Sequence, residues 1–437
     1  MQYMYSYKNG YLIYDIEKNK IKFTSELCNE IDEGNTSYNN SNNELKDIDN
    51  KDSIKTVKIT YLSTPYCNLN CKYCYEHNKL SHPKLRIMSA NEHYNIFNSI
   101  KGYFPDEAKI KICFFGGEPF LAKEQIFEFV KMLEYDCEKH KTELPYLSAI
   151  TNGTILNSEE RKFVYDYFNT ITFSLDGTKI LHDANRIYKN GAGSFDDVVN
   201  NIIEFNKLNF DKRVYTACEV TLTDAYFQNY SHKLMEEVWE LLKKLKFREV
   251  ALVPVIDENT ELINKIENID LIAKDIVDLW YEDVINNSCN IKIPYLIDYL
   301  SLLVANKSIE DSICGAGHNS FVVDSNYNVY PCQTSIFMKN KENSIIGEIS
   351  NSKLKLNEFQ TTKYLTKKEH PLCKKCECMK GCNTFCKIVM NDEFENMPLD
   401  CLFNKKIFEH SLTKIVDIMN SDQKENFING VKFLFSN

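Results

Sequence analysis

A chain of 437 residues, 43% of them hydrophobic, is long enough for two or three domains around a large buried core. Its formal net charge of −10 argues against a nucleic-acid partner, because phosphate binding needs a basic surface. The sequence has no run of about 18 apolar residues and no apolar signal-peptide core, so we expect no membrane span and a cytoplasmic location.

The amino-terminal segment, residues 1–56, has two parts. Residues 1–30 alternate apolar and polar side chains around turns at Asn9-Gly10 and Lys18-Asn19. This pattern predicts β-hairpin structure followed by the start of a short helix. Residues 31–56 are polar and contain few apolar side chains, which predicts a linker or mobile loop.

Short β-rich runs alternate with helical patterns over residues 57–255. The runs cover residues 58–63, 111–115, 147–150, 171–175, 214–222 and 249–255. The helical patterns include Ala90–Phe104, Lys123–His140, Asp196–Lys207 and Gln228–Lys246. Alternation of this kind is typical of parallel βα units. Six such units favour a partial TIM-type (β/α)6 barrel of the α/β class, with a flat parallel sheet as the alternative, and residues 256–313 are expected to form a helical bridging region.

Each of the first four β-rich runs is followed directly by a distinctive loop. The loops are the segment TPYCNLNCKYCYEH (64–77), GGEP (116–119), TNG (151–153) and DG (176–177). Parallel α/β sheets and barrels place their sites at the carboxyl ends of the strands. We therefore expect the four loops to converge on one ligand.

The first loop gathers Cys67, Cys71 and Cys74 within eight positions. Clustered cysteines in a reducing compartment are metal ligands more often than disulfide partners. Three thiolates bind a four-iron cluster with one iron left open. A structural zinc site would instead need a fourth ligand, which His77 could supply.

The spacing CNLNCKYC resembles the signature of the radical S-adenosylmethionine (SAM) enzymes, with Tyr73 at its aromatic position. GGEP resembles the glycine-rich motif of that family. The resemblance implies that Gly116, Gly117, Glu118 and Pro119 hold the amino group of SAM, with Glu118 as a charge partner. It also implies that SAM completes the cluster, so His77 is no longer needed as a ligand.

Polar residues after the next strands also match family positions. The resemblance assigns Asn152 and Ser174 to the methionyl carboxylate or the ribose of SAM, and Arg186 to the same carboxylate, a pairing that suits a guanidinium. His182 and Asp183 are expected to cap or orient their loop. The implied chemistry is one-electron cleavage of SAM to methionine and a 5′-deoxyadenosyl radical that removes a substrate hydrogen atom.

A second cysteine group occupies the carboxy-terminal region, residues 314–437. Its spacing resembles the SPASM domain, which carries two auxiliary 4Fe–4S clusters, and a pair of zinc ribbons is the alternative. The resemblance assigns the distal auxiliary cluster to Cys373, Cys376, Cys382 and Cys401. It assigns the proximal auxiliary cluster to Cys314, Cys332 and Cys386.

The proximal cluster therefore lacks one protein ligand. Either one iron stays open for a substrate thiolate, which we favour, or His318 or Cys378 fills the position. The hairpin before Cys332 has Tyr327 where the family pattern has glycine. We expect Asn326 or Asn328 to supply the positive φ instead.

Two branches of the SPASM enzymes fit the chain. Anaerobic sulfatase maturases form formylglycine and usually carry an aspartate at the position of Gln333. Maturases of ribosomally made peptides often form thioethers and carry an amino-terminal leader-binding hairpin, as residues 1–25 suggest. We expect a thioether-forming enzyme whose partners are a cysteine-containing precursor peptide and an electron donor such as flavodoxin or ferredoxin. The alternatives are a sulfatase-type maturase and a non-catalytic iron–sulfur or zinc scaffold.

Overall fold

The computed structural model describes residues 2–8, 10–16, 18–24, 54–74, 85–255, 263–305, 315–336, 344–357, 373, 375–382 and 399–436. Its strands are β1 (Gln2–Tyr7), β2 (Gly10–Asp15), β3 (Lys20–Thr24), β4 (Thr56–Thr64), β5 (Lys109–Gly116), β6 (Tyr146–Thr151), β7 (Thr170–Ser174), β8 (Tyr215–Leu222), β9 (Glu249–Pro254), β10 (Ser320–Val323), β11 (Asn328–Tyr330), β12 (Gly347–Ser350) and β13 (Lys353–Leu356). The predictions for residues 25–53 and for His77, Cys314 and Cys386 fall outside the described residues.

Helices follow most of the central strands. They are α1 (Ala90–Lys101), α2 (Lys123–His140), α3 (Ser158–Tyr167), α4 (Lys179–Asp183), α5 (Phe195–Leu208), α6 (Asp224–Gln228), α7 (His232–Lys244), α8 (Ile263–Ile285), α9 (Pro294–Ala305), α10 (Gln333–Ile336), α11 (Leu399–Met419) and α12 (Lys424–Ser436), with a short 3₁₀ helix at Pro119–Ala122. Among the described helices, none is long and apolar enough to cross a bilayer.

The main sheet confirms the predicted α/β class. Its strand order is β13-β12-β11-β10-β4-β5-β6-β7-β8-β9. The six strands β4 to β9 lie in chain order and pair in parallel, so every predicted run became a strand of one sheet. Strand β10 adds to the other side of β4, also in parallel. The sequence did not predict this extension of the sheet by the carboxy-terminal region.

Alternate side chains of the central strands face opposite sides of the sheet. The face toward the helices is apolar and buried, as at Phe114, Ile171 and Phe173. The opposite face is more polar and includes Thr172, Ser174 and Glu219. The four distinctive loops lie at the carboxyl ends of these strands.

One helix prediction was wrong at its start. The pattern predicted a single helix over Gln228–Lys246, but α6 ends at Gln228 and α7 starts at His232. The side chain of Ser231 accepts a hydrogen bond from the amide of Leu234, 3.2 Å away, and so caps a new helix. N-cap hydroxyls stabilise helix starts in this way.

The β10–β11 hairpin corrects a second prediction. Tyr327 itself has a positive φ of 65°, so neither Asn326 nor Asn328 takes over that conformation. Asp324 organises the turn, because its Oδ1 accepts hydrogen bonds from the amides of Asn326 at 2.8 Å and Asn328 at 3.0 Å. The Asp324 carboxylate therefore supports a backbone conformation that glycine would adopt without strain.

The amino-terminal segment forms the predicted antiparallel structure, with strand order β1-β2-β3. This sheet packs on the carboxy-terminal region. Tyr14 is fully buried, with its ring 5.4 Å from that of Phe408 on α11. Asn19 donates through Nδ2 to the carbonyl of Leu302, 2.7 Å away at the end of α9.

Candidate active site

The cysteine loop leaves β4 at Thr64 and pairs with a distant segment. The amide of Asn70 donates to the carbonyl of Ile187 at 2.7 Å, and that of Lys72 donates to the carbonyl of Asn185 at 3.1 Å. Cys67, Cys71 and Cys74 are half-buried on this loop. The loop is thus held from two sides, by β4 and by the segment that carries Arg186.

Gly116 and Gly117 let the next loop lie directly against the cysteine loop. The amides of Gly117 and Glu118 donate to the carbonyls of Thr64 at 2.9 Å and Tyr66 at 2.8 Å. A Cβ atom on Gly116 would lie 2.3 Å from the oxygen of Thr64, and one on Gly117 would lie 2.3 Å from that of Tyr66. Only glycine permits this approach of two backbones. Pro119 follows at the first position of the 3₁₀ helix and is buried.

Glu118 is fully buried and points back into the protein. Its Oε1 accepts hydrogen bonds from the Thr151 hydroxyl at 2.8 Å and the Phe120 amide at 3.1 Å, and its Oε2 accepts from the Asn152 amide at 2.7 Å. Burial raises the pKa of Glu118 to about 7, against the lowering effect of these donors. The carboxylate joins the loop after β5 to the loop after β6.

Asn152 contacts the cysteine loop directly. Its Nδ2 donates to Oδ1 of Asn68 at 2.9 Å and lies 3.6 Å from the sulfur of Cys67. Its Oδ1 accepts from the amide of Thr154 at 2.9 Å. The amide of Leu69 also approaches the sulfur of Cys67, at 3.4 Å. Two N–H donors therefore face one sulfur, an arrangement that stabilises a thiolate ligand.

Tyr73 and Arg186 meet at a buried carboxylate, Asp176. Oδ2 of Asp176 accepts from the Tyr73 hydroxyl at 2.6 Å and from Nε of Arg186 at 2.9 Å, and Oδ1 accepts from the Thr221 amide at 3.0 Å. The guanidinium also stacks 5.3 Å from the centre of the Tyr73 ring. Asp176 thus orients both the aromatic residue of the cysteine loop and the arginine assigned to SAM.

His182 and Asp183 support this loop, as expected. The amide of Asp176 approaches Nδ1 of His182 at 3.3 Å, and Nε2 of His182 lies 2.9 Å from the Ser194 hydroxyl. Burial lowers the pKa of His182 to about 4, so the ring is neutral near pH 7. Oδ1 of Asp183 accepts from the amide of Phe195 at 2.9 Å.

Ser174 ends β7 and pairs in register with Glu219 on β8. Both side chains lie on the polar face of the sheet, and burial raises the pKa of Glu219. Glu219 was not among the predicted site residues, and Asp176 was predicted only as part of a loop. An acidic residue inside the apolar run ACEVTL and an aspartate before a glycine were the available signals.

The distal cysteines also come together. Cys373, Cys376, Cys382 and Cys401 line a cavity of about 40 Å³, which we call the distal cysteine cavity; Cys378, Met379 and Asn404 complete its walls. Cys378 therefore lies with the distal set, which argues against its use at the proximal cluster. Cys332, the one described member of the proximal set, follows β11.

The side-chain type of the predicted ligands fits iron–sulfur clusters. The cysteines assigned to each cluster offer three or four thiols, a donor type that favours sulfur-ligated iron. Within the described ranges, no three His, Cys, Asp or Glu side chains already have the geometry of a metal site. The fit therefore rests on ligand type and on the N–H donors at Cys67.

A larger cavity of about 530 Å³ lies at the amino ends of β8 and β9, away from the cysteine loop. Its walls carry Lys212, Lys243, Lys246, Arg248 and Lys292. The carboxyl ends of α5 and α7 meet there, and basic side chains complement the carbonyl groups at helix ends.

Two protein-family models match this chain in the regions that carry the cysteine groups. Residues 61–222 match the radical SAM superfamily, and residues 314–377 match SPASM, an iron–sulfur cluster-binding domain. A cysteine-type anaerobic sulfatase-maturating enzyme of Clostridium perfringens is 27% identical over 81% of this chain and 96% of its own length. The radical SAM cyclopropyl synthase TigE of Paramaledivibacter caminithermalis is 21% identical over 80% of this chain and 71% of its own.

A solved structure shares the fold. Native anSMEcpe with bound AdoMet and Cp18Cys peptide superposes with a TM-score of 0.66 at 22% identity, covering 84% of this chain and 99% of that one. Radical SAM and SPASM domains imply SAM and 4Fe–4S clusters as cofactors. The chain therefore carries a radical SAM domain with a SPASM domain behind it.

Proposed function

We propose that this protein is a radical SAM maturase that joins a cysteine sulfur of a precursor peptide to a carbon atom of a neighbouring residue. The observation that carries the proposal is the meeting of four loops at the carboxyl ends of β4 to β7, linked through Glu118, Asn152 and Asp176. A non-catalytic cluster scaffold has no need for this arrangement beyond the cysteines.

In this proposal, Cys67, Cys71 and Cys74 hold a 4Fe–4S cluster whose open iron binds SAM. The cluster and SAM together supply a 5′-deoxyadenosyl radical for hydrogen abstraction. Arg186, fixed by Asp176, binds the methionyl carboxylate. Asn152 and Ser174 orient the rest of SAM, while Gly116, Gly117 and Pro119 shape the wall beside its amino group.

The distal set Cys373, Cys376, Cys382 and Cys401 holds one auxiliary cluster, and Cys314, Cys332 and Cys386 hold the other, for three clusters in all. A proximal cluster with an open iron would bind the substrate thiolate before crosslinking. Thioether formation removes two electrons from the peptide, one of them with the abstracted hydrogen atom. The cysteines that would hold the auxiliary clusters would provide a one-electron acceptor for the other electron, the thiol would release its proton to solvent, and an external donor such as flavodoxin or ferredoxin would reduce the first cluster.

Two features favour thioether formation over formylglycine formation. Gln333 begins α10 directly after Cys332, and its amide cannot accept a proton as a carboxylate base would. The amino-terminal sheet has β3 at its edge, where among the described strands it pairs only with β2. An edge strand offers backbone groups to an extended peptide, so β3 suits a leader segment.

The test is anaerobic co-expression with a small cysteine-containing peptide encoded beside this gene, followed by mass spectrometry. We expect the peptide to lose two hydrogens per crosslink, keep its sulfur and resist alkylation at cysteine. The Cys67→Ala variant should make no 5′-deoxyadenosine and no crosslink. Cys137→Ala, which changes a cysteine on α2, should behave like the wild type. An unmodified peptide beside abundant 5′-deoxyadenosine would contradict the proposed product.

Sulfatase maturation is the second candidate, because the Clostridium perfringens relative matches over nearly its whole length. The same experiment separates the two reactions when a sulfatase-derived cysteine peptide is added. Formylglycine formation removes the sulfur and leaves an aldehyde that hydrazide reagents label. A labelled sulfatase peptide would support this candidate and reject thioether formation as the main reaction.

A further inference from the structure

The side-chain amide of Asn152 is buried and uses its full hydrogen-bonding capacity within the protein. Its Oδ1 accepts from the amide of Thr154 at 2.9 Å and from the Thr154 hydroxyl at 2.7 Å. Its Nδ2 donates to Oδ1 of Asn68 at 2.9 Å and to the sulfur of Cys67 at 3.6 Å. An asparagine side chain has two N–H donors and two acceptor lone pairs. These four contacts use all of them, so the amide has no capacity left for a direct hydrogen bond to SAM.

A closed ring of hydrogen bonds fixes the orientation of this amide. Nδ2 of Asn68 donates to Oγ1 of Thr154 at 2.8 Å, Oγ1 of Thr154 donates to Oδ1 of Asn152, and Nδ2 of Asn152 donates back to Oδ1 of Asn68. A flipped amide would direct an N–H group at the backbone N–H of Thr154, which is also a donor. The ring therefore holds one N–H group of Asn152 toward Cys67.

The sulfur of Cys67 faces two N–H donors of different origin. The amide of Leu69, at 3.4 Å, belongs to the cysteine loop itself. Asn152 comes from the loop after β6, 85 residues further along the chain, and its backbone amide is held by Oε2 of Glu118 at 2.7 Å. Hydrogen bonds to cluster sulfurs stabilise the reduced, more negative cluster and raise its reduction potential. Asn152 is thus placed to raise the potential of a cluster that is bound through Cys67.

We propose that Asn152 is a positioning residue of the radical-generating cluster, which acts on SAM through the Cys67 sulfur and makes no direct contact with SAM. The inference rests on the proposed function, in which Cys67 is a ligand of that cluster. The role differs from the SAM contact that the family resemblance implies at this position, because a SAM contact needs a free donor or acceptor on the amide. Ser174 and Arg186 remain the side chains that contact SAM.

The test compares Asn152→Ala with Thr154→Val in the reconstituted full-length protein. Asn152→Ala removes the donor that faces Cys67. Thr154→Val breaks the same ring of hydrogen bonds but leaves that donor in place, so it reports a purely structural role of the ring. An EPR-monitored redox titration measures the potential of the cluster whose signal disappears in Cys67→Ala. Pulsed EPR on protein labelled with ¹⁵N in its asparagine side chains detects the coupling between Nδ2 and that cluster.

We expect wild-type and Thr154→Val proteins to show the asparagine coupling and Asn152→Ala to lose it. The potential should become more negative in Asn152→Ala and stay close to the wild-type value in Thr154→Val. SAM binding, followed as the change of the EPR signal on addition of SAM, should keep nearly wild-type affinity in Asn152→Ala. Arg186→Gln should weaken SAM binding about ten- to hundredfold, because it removes a charged hydrogen-bond donor.

An unchanged potential in Asn152→Ala would overturn the inference, and so would a loss of SAM affinity as large as that in Arg186→Gln. Equal potential shifts in Asn152→Ala and Thr154→Val would mark a purely structural ring and would also overturn it. If Asn152→Ala fails to incorporate iron, the labelled wild-type protein decides, because absence of the asparagine coupling there contradicts the inference. A wild type without a Cys67-dependent signal would reject the cluster assignment. Failure of the proposed reaction would appear separately, as 5′-deoxyadenosine beside an uncrosslinked peptide.

Discussion

The side chain of Glu118 has hydrogen-bond partners that its sequence motif did not predict. The glycine-rich motif predicted a partner for the amino group of SAM at this position. In the structure, both carboxylate oxygens accept hydrogen bonds from the chain itself, at Phe120, Thr151 and Asn152. Glu118 therefore holds two loops of the site together, and its buried carboxyl makes that junction sensitive to pH.

Stability should fall as the pH rises through the pKa of Glu118. Its pKa is about 7 in the folded protein and 4.5 ordinarily, so folding takes up a proton between these values. The stabilising contribution is complete below pH 4.5 and is lost as the pH rises through about 7. Urea unfolding under anaerobic conditions at several pH values measures this slope.

Glu118→Gln should flatten the pH dependence, because an amide does not titrate. It should also destabilise the protein by about 1–3 kcal/mol, because the amide –NH₂ replaces one acceptor facing the Asn152 amide. Glu124→Gln, in the first turn of α2, is the control and should keep the wild-type slope. Equal slopes in wild type and Glu118→Gln would show that another group titrates.

At the scale of elements, the junction of β4 and β5 with their loops decides the shape of the site. The two strands pair in parallel up to Thr64 and Gly116, and the backbone contacts continue into both loops. Gly116 adopts a φ of +136°, which favours glycine. Backbone packing against the glycines therefore places the start of the cysteine loop.

Gly117→Ala should disturb the cysteine loop. The added Cβ would lie 2.3 Å from the carbonyl oxygen of Tyr66, a backbone atom that cannot move away alone. We expect a loss of about 1–3 kcal/mol in unfolding free energy, in the range of overpacked sites. Reduced iron incorporation at the first cluster should accompany it, measured as iron per chain after reconstitution.

Gly102→Ala is the matched control for this change. Gly102 follows α1 with a φ of −72°, and its Cβ would meet only the Asn98 oxygen at 3.2 Å. Its stability and iron content should stay close to those of the wild type. Equal effects of the two alanines would mean that the contact with Tyr66 does not position the loop.

At the scale of the whole molecule, the two ends of the chain form one packed region. Strands β1 and β2 contact the segment around Lys375 and α11, and Asn19 between β2 and β3 contacts α9, although hundreds of residues separate them in sequence. The sheet that sequence analysis assigned to leader binding is thus also part of the support of the carboxy-terminal domain.

Tyr14→Ala should therefore damage the carboxy-terminal domain. Tyr14 is fully buried against α11, and truncation of a large buried aromatic side chain costs roughly 3–5 kcal/mol. Faster alkylation of the distal cysteines in the apoprotein should reveal the loosened packing. Tyr11→Ala, on the outer face of β2, should cost less than about 1 kcal/mol. Wild-type alkylation rates in Tyr14→Ala would show that the sheet is independent of the domain.

The sequence by itself determined the six parallel strands, the loops at their carboxyl ends and the two cysteine groups. These features are local: side-chain periodicity, turn residues and ligand spacing are visible within a few residues of one another. The tertiary structure alone decided that Asp176 joins Tyr73 to Arg186, that Glu118 turns inward and that Cys378 lies with the distal cysteines. Such contacts form between residues that are far apart in sequence, and local sequence patterns do not indicate which of these residues will pack together.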